Sequence, residues 1–399
     1  MFDKDATPPR FGRPPYHVPM PTIRLFEDEQ CSALHPFHLV DGASGIRYGA
    51  WTQQDRWCQI ADDLRRMGLD DADVFDINAR WIPDEGVAKA LAGMSHGSEW
   101  RVGDVLIAEA QRSTPIGEGT GQTEAQPRLI CHANQLFTEL ESQLAKDVPS
   151  LRETWSLTPM PATPHTAVYG PADQVLIASD ARIRAASVDT EAGPVVIGPG
   201  VTIEPGVHLK GPLVICEGAT VRMGACISGP TVIGPHCKVG GEISNVSFQG
   251  WANKAHAGFL GNSVIGRWCN LGAGTESSNL KNTYGEVRQW DAGSGTLKGS
   301  GLQFCGLLMG DHSKCGIGTT FNTGTVIDPA CVIFDAGFPP KHLPAFSWYN
   351  ARSGDMEVQD LNRMLGTAEK VMARRGMEIS EAQRANLTRL HQKRSETGA

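Results

Sequence analysis

The sequence predicts a two-part chain, an N-terminal α/β domain followed by a parallel β-helix that ends in helices. The first observation behind this is a comb of eight aliphatic residues at a strict spacing of six: Ile197, Ile203, Leu209, Ile215, Val221, Ile227, Ile233 and Val239. That period fits neither an α-helix, at about 3.6 residues per turn, nor the two-residue alternation of a simple strand. It fits a chain coiled into a triangular prism of short parallel strands, with one side chain per side pointing inward. The second observation is that turn formers follow the comb, as in Ile197-Gly198-Pro199-Gly200, Ile203-Glu204-Pro205-Gly206 and Ile233-Gly234-Pro235, placing a corner after each strand. The third is the mixture of strand and helix patterns in the first 150 residues.

Taken in order, residues 1–20 are proline-rich with little apolar content and are expected to form a disordered or draped arm. Residues 21–150 form the α/β domain. Strands are expected at 22–26, 73–77, 104–110 and 128–131, and helices at 53–68, 85–94 and 133–148. The Pro- and Thr-rich stretch 151–174 is expected to be a linker, and 175–345 the solenoid. The final segment, 346–399, is expected to hold one or two helices with basic ends.

The comb stops at Asn245, returns at Ile265 and Leu271, and resumes as Met309, Cys315, Phe321, Ile327 and Ile333. Two insertions, near 246–262 and 276–304, are therefore expected, and loops of that length usually carry function or dock a neighbour. Outward apolar residues near the second comb (Trp268, Phe304, Leu307 and Leu308) suggest a face buried against neighbours. The self-sufficient comb suggests that residues 172–399 fold and assemble alone.

With 36 Lys and Arg against 44 Asp and Glu, the net charge is −8, which argues against a nucleic-acid footprint. No apolar run approaches a membrane span of about 20 residues, and no signal-peptide core is visible, so a cytoplasmic protein without membrane or nucleic-acid partners is expected. None of the ten cysteines forms a Cys-x-x-Cys pair. They are expected to be reduced, and no structural metal site is expected.

The densest polar cluster is 253–290. Its pattern runs His256, Phe259, Gly261, Ile265-Gly266, Asn270, Gly272-Ala273-Gly274-Thr275 and Asn279. This resembles the acetyltransferase site of the bifunctional enzymes that acetylate glucosamine-1-phosphate and uridylylate the product, and most closely a divergent group of bacterial relatives. The resemblance spans the solenoid and implies a left-handed β-helix, acetyl-CoA as co-substrate, a small-molecule sugar acceptor and a homotrimer. It implies His256 as general base, since imidazole titrates near neutrality. It places Phe259 and Asn270 toward the acceptor; Lys254 is a nearby cation that could grip an acceptor phosphate, and alternation around inward-facing Met309 and Cys315 turns His312 and Lys314 outward onto an inter-subunit groove, where they could meet the acceptor or the coenzyme. Ala273, Asn279, Leu280 and Thr323 then lie along the coenzyme. Two tyrosines of the family pattern are Phe259 and Leu280 here, and Lys281 and Arg222 are further cations that could grip a phosphate.

The N-terminal domain resembles the nucleotidyltransferase-like domain of the same group through LFEDEQ (25–30), IRYG (46–49) and DINARWIP (76–83). It lacks a Gly-x-Gly-Thr-Arg-type loop to cradle a triphosphate, and Asp41-Gly42 stands where an Arg-Pro pair is expected, although Arg47 persists. The expected activity is thus an acyl-CoA-dependent N-acetyltransferase acting on an amino sugar or its phosphate. The alternatives are a sugar-1-phosphate nucleotidyltransferase, possibly bifunctional and then using Mg2+, and a non-catalytic scaffold that binds a sugar nucleotide or coenzyme. A hexapeptide zinc enzyme would need converging histidines, and His208, His236, His256 and His312 lack such spacing.

Overall fold

The computed structural model describes residues 21–111 and 127–396, so the expected arm at 1–20 lies outside the described residues. The N-terminal domain is built on a four-stranded mixed sheet. Its strands Thr22–Phe26 and Val74–Asn78 are parallel, and Val105–Gln111 and Glu99–Val102 continue it antiparallel. Helix Gln53–Arg66 starts at a reciprocal cap between Thr52 and Asp55, and lays Trp57 and Leu64 on the sheet against Phe75 and Ile77. The expected helix at 133–148 forms as two pieces, Gln135–Thr138 and Leu140–Thr154.

From Val175 the chain coils into the left-handed β-helix. Its inward positions stack in register, as in Ile197, Ile215, Ile233, Phe248, Ile265, Met309, Ile327 and Leu343. The segment read as a linker contributes to this body. Thr158–Pro159 pairs with Val175–Ile177, and Ala167–Tyr169 pairs with Ser187–Asp189.

The expected insertion at 246–262 does not exist. Ile243, Phe248, Lys254 and Leu260 continue the ladders without a break. Asn245 and Asn262 adopt left-handed backbone (φ 55° and 46°), so one corner closes with fewer residues and the strict spacing of six is lost. Lysine and serine then occupy the inward positions Lys254 and Ser277, which hides the comb further. The second interruption is real. It forms a hairpin, Arg288–Asp291 with Thr296–Gly299, whose Asn134–Gln289 amide contact (3.0 Å) ties it to the N-terminal domain.

The prism has three faces. The face carrying Val175–Ile177 through His342–Leu343 is covered by the chain's own N-terminal domain. Outward Val196, Val214 and Val232 pack on Trp51, Leu144, Leu151 and Trp155, and outward Val264, Leu308 and Val326 pack on Leu34, Phe37, Tyr48 and Phe137. This docked face corrects two expectations. Leu307 points into the prism, and Leu308 is buried by its own chain rather than left for a neighbour. Polar contacts fasten the same seam: the Arg47 backbone N–H donates to Gln249 Oε1 (2.6 Å), and Gln249 Nε2 donates back to the Arg47 carbonyl (3.0 Å).

Helices Leu361–Ala373 and Glu381–Glu396 close the next corner, packing Met364, Leu365, Ala368 and Leu387 on Ala330 and Phe346. None of the ten cysteines is in a disulfide, and Cys31, Cys216, Cys237, Cys269, Cys305, Cys315 and Cys331 are buried. Among the described residues, no helix is long and apolar enough to cross a membrane.

Candidate functional site

His256 is exposed at the corner that joins the third face, which carries Asn253–Lys254, to the open face, which carries Phe259–Gly261. Successive turns stack this corner: Gly274 N–H donates to the Ala257 carbonyl (3.1 Å), and Gly318 N–H to the Ala273 carbonyl (2.9 Å). The structure therefore brings His256, Ala273 and the strongly exposed Ile317 onto one edge. Across the open face, Asn279 Nδ2 donates to Asn262 Oδ1 (2.7 Å), and the Phe259 N–H donates to Glu276 Oε2 (2.7 Å). Gly261 leaves room for both side chains there, because a Cβ would lie 2.6 Å from the Phe259 ring and 2.7 Å from Asn279 Nδ2 and would have to displace their ends. The result is an accessible strip running from an imidazole past an aromatic ring to a side-chain amide pair.

Other expected site residues fall elsewhere. Lys254 is an inward ladder residue in register with Val239, 1% exposed, and its Nζ donates to the carbonyls of Gly240 (3.2 Å) and His256 (2.7 Å). Burial lowers its pKa to about 8. It cannot reach an acceptor sugar outside the prism, but it does hold the backbone of His256. Asn270 and Lys314 are register partners on the outside of the third face, one face away from Phe259 and Asn279. Lys314 is largely covered and donates to the His312 carbonyl (2.8 Å), with burial lowering its pKa.

His312 does not face an outer groove. It is buried at the corner between docked and third faces, in a column of rings that runs His236, Trp251, Trp268 and His312 with centroid steps of 5.8, 5.3 and 6.4 Å. Burial, helped by Lys314, pushes its pKa down to about 3, so the ring is neutral and unsuited to carry a proton at neutral pH. Leu280 bridges Phe304 at the base of the hairpin, and the Thr323 side chain is 6% exposed beneath it. Neither offers an open wall. Lys281 Nζ is tied to the Glu286 carbonyl and Arg222 to Glu204 (2.6 Å).

At the N-terminal domain, the carboxyl ends of the two parallel strands are where ligands of such sheets ordinarily bind. Here Arg80 fills that place. Its guanidinium meets Asp28 (2.9 and 2.5 Å), Gln30 Oε1 (3.1 Å) and the Ile130 carbonyl (3.3 Å), with no exposure of its own. Arg47 is likewise consumed, donating to the carbonyls of Ala50 and Gln249. Neither cation is free for a triphosphate.

A feature the sequence did not disclose is a cleft of about 470 Å3 where all three parts meet. It is lined by Trp51 and Trp155 from one side, Trp251, Trp268 and Arg267 from the prism corner, and Met377 and Gln383 from the C-terminal segment. Arg267 pairs there with Asp41, which Gln383 Nε2 also reaches (2.7 Å). The Asp41 that departs from the expected Arg-Pro pair is thus an interdomain anchor. The tryptophans are more than 90 residues apart in sequence between the two sides, so only the fold assembles them.

Residues 23–155 match the family described as "Sugar nucleotidyl transferase". That is one third of the chain, and it coincides with the domain docked on the prism. Among solved structures, an Arabidopsis UDP-N-acetylglucosamine acyltransferase is similar at 14% identity and a TM-score of 0.24, over 55% of this chain and 79% of that one. No curated protein sequence matches.

Proposed function

We propose that the chain is a sugar-nucleotide-related transferase whose solenoid carries out acyl transfer from acetyl-CoA to an amino sugar or its phosphate. The observation that carries this reading is the strip of exposed His256 and half-buried Phe259, Asn262 and Asn279 on the open face, away from the contacts of the N-terminal domain and the terminal helices. In the reaction the acceptor amine attacks the thioester carbonyl carbon. His256 takes the proton released from nitrogen, the carbon–sulfur bond breaks, and the coenzyme leaves as a thiol after reprotonation. Lys254 holds the His256 carbonyl from inside and so positions the loop. Ala273 and Asn279 would border the coenzyme, and a second prism of a homotrimer would complete the groove.

The test is steady-state acetyl-CoA consumption with a panel of amino-sugar phosphates. His256→Ala should lower turnover about 100-fold or more, the usual scale for a lost general base, with coenzyme affinity retained. Asn279→Ala should weaken coenzyme binding. Full activity in His256→Ala would overturn the mechanism.

The family match over 23–155 favours a second reading, nucleotidyl transfer by the N-terminal domain with Mg2+. Release of pyrophosphate from a nucleoside triphosphate and a sugar-1-phosphate would support it. Against it stands the Arg80–Asp28 pair that occupies the phosphate end of the sheet.

A further inference from the structure

We propose that His35, Asp328 and His342 form a binding site for one divalent first-row transition-metal ion, Zn2+ being the best fit, at the seam between the N-terminal domain and the last turns of the prism. The ligand atoms of the three residues lie within 4.8 Å of one another. His35 Nε2 is 2.6 Å from Asp328 Oδ1, and His342 Nε2 is 3.3 Å from Asp328 Oδ2. A Zn2+ ion with ligands at about 2.0–2.2 Å in a tetrahedron spaces its donors about 3.3–3.6 Å apart. Drawing the group onto an ion therefore needs side-chain adjustments on the order of 1 Å, with no change of fold.

The scaffold is rigid on the prism side. His342 projects outward from the strand His342–Leu343, in register with Val326, and Asp328 stands at the corner two residues after Val326. The Trp290 ring lies flat on His342, with centroids 4.1 Å apart and planes 6° from parallel, which fixes the imidazole orientation. His35 is brought from the N-terminal domain by the segment after Glu29–Leu34.

The surroundings are those of a site short of a partner. His342 Nε2 is buried and makes no hydrogen bond, because it is out of line with the nearby carboxylate. Nδ1 of neighbouring His38 is also buried and unpartnered, and its ring centroid is 6.4 Å from that of His35. Two imidazoles and one carboxylate with further coordination positions open suit Zn2+, Co2+ or Mn2+ rather than Ca2+ or Mg2+, which prefer all-oxygen sets. Sequence spacing could not expose the site, since its donors are 293 and 14 residues apart. It involves none of the residues assigned to acyl transfer.

Chelator-treated full-length protein should be titrated with Zn2+ by calorimetry and separately loaded with Co2+. One equivalent of Zn2+ per chain is expected at micromolar concentration, with a rise of a few degrees in melting temperature. The Co2+ form should show visible ligand-field bands without the strong near-ultraviolet thiolate absorption that binding at exposed Cys58, Cys131 or Cys226 would give. His342→Ala and Asp328→Asn should each lower affinity at least 10-fold. His342→Gln provides a milder variant should either fail to fold, and it should weaken binding as well. Failure of the wild type to bind, thiolate bands in the Co2+ form, or unchanged affinity in folded His342→Gln and His342→Ala would overturn the proposal.

Discussion

Lys254 provides a quantitative test of how the prism is packed. It sits inside, in register with Val239, and donates to two backbone carbonyls. Burial is the largest influence on it and lowers its pKa from 10.5 to about 8, with the Glu276 carboxylate opposing. In the unfolded chain the ammonium titrates near its ordinary value of about 10.4, so the folded state holds the proton less tightly by about 3 kcal/mol. Below pH 8 both states are protonated and the folded state bears the whole penalty. Between about pH 8 and 10.5 the folded state releases the proton first, the unfolded state holds more protons, and stability rises with pH. Lys254→Met keeps the aliphatic stem and removes the titration, but it leaves the Gly240 and His256 carbonyls without this donor, at about 1 kcal/mol or more each. The informative quantity is therefore the difference between wild type and variant as a function of pH, in which other alkaline titrations cancel. Urea unfolding at about pH 7, 8, 9 and 10 should show the wild type gaining about 2–3 kcal/mol on the variant across the series. Parallel curves, within about 0.5 kcal/mol, would refute an interior ammonium.

Three other outcomes follow from the packing. Asp147→Ala should cost about 3–5 kcal/mol in denaturant unfolding, because it strands the buried Arg56 guanidinium that Asp147 grips at 2.7 and 2.8 Å, whereas Glu204→Ala at the exposed Arg222 pair should cost under about 1 kcal/mol. Residues 172–399 alone should aggregate, since outward Val196, Val214, Val232, Val264, Leu308 and Val326 lose a cover worth on the order of 10 kcal/mol; a soluble, monodisperse product by light scattering would show the docked face to be dispensable. His312→Phe should keep the ring column and blunt acid unfolding: with the folded pKa pushed down to about 3, the wild-type histidine contributes stability that is intact above about pH 6.5 and is lost as pH falls toward 3, so the wild-type advantage should shrink over that window in acid titrations followed by circular dichroism.

The prism was legible because its inward positions are aliphatic and evenly spaced, and that regularity needs no knowledge of partners. It became illegible between 245 and 277, where asparagine corners shortened the turns and where Lys254 and Ser277 took inward places. A buried lysine that satisfies its charge on two carbonyls looks, in sequence, like a surface lysine beside a histidine. His312 misled in the same way, since burial in a ring column depends on Trp251 and Trp268 from the preceding turns. The strip of His256, Phe259, Gly261 and Asn279 was readable because its residues lie on adjacent turns close in sequence. The tryptophan cleft and the His35–Asp328–His342 cluster were not, because each joins the N-terminal domain to turns of the prism hundreds of residues away.

The seam between domain and prism also constrains where chemistry can occur. Arg47 and Arg80, cations that a phosphate site would use, are committed to Gln249 and Asp28, and Asp41, an anion that would repel phosphate, is paired with Arg267, so the domain spends these groups on architecture. A substrate entering at the sheet's carboxyl end would have to break the contacts of the Arg80 guanidinium, which is itself buried, with the partly exposed Asp28. No such cost attaches to the His256 edge, where the imidazole is already exposed and the Asn262–Asn279 pair is already formed. The docked domain therefore covers one face of the prism and bounds the tryptophan cleft, while the His256 edge lies on the open face outside both.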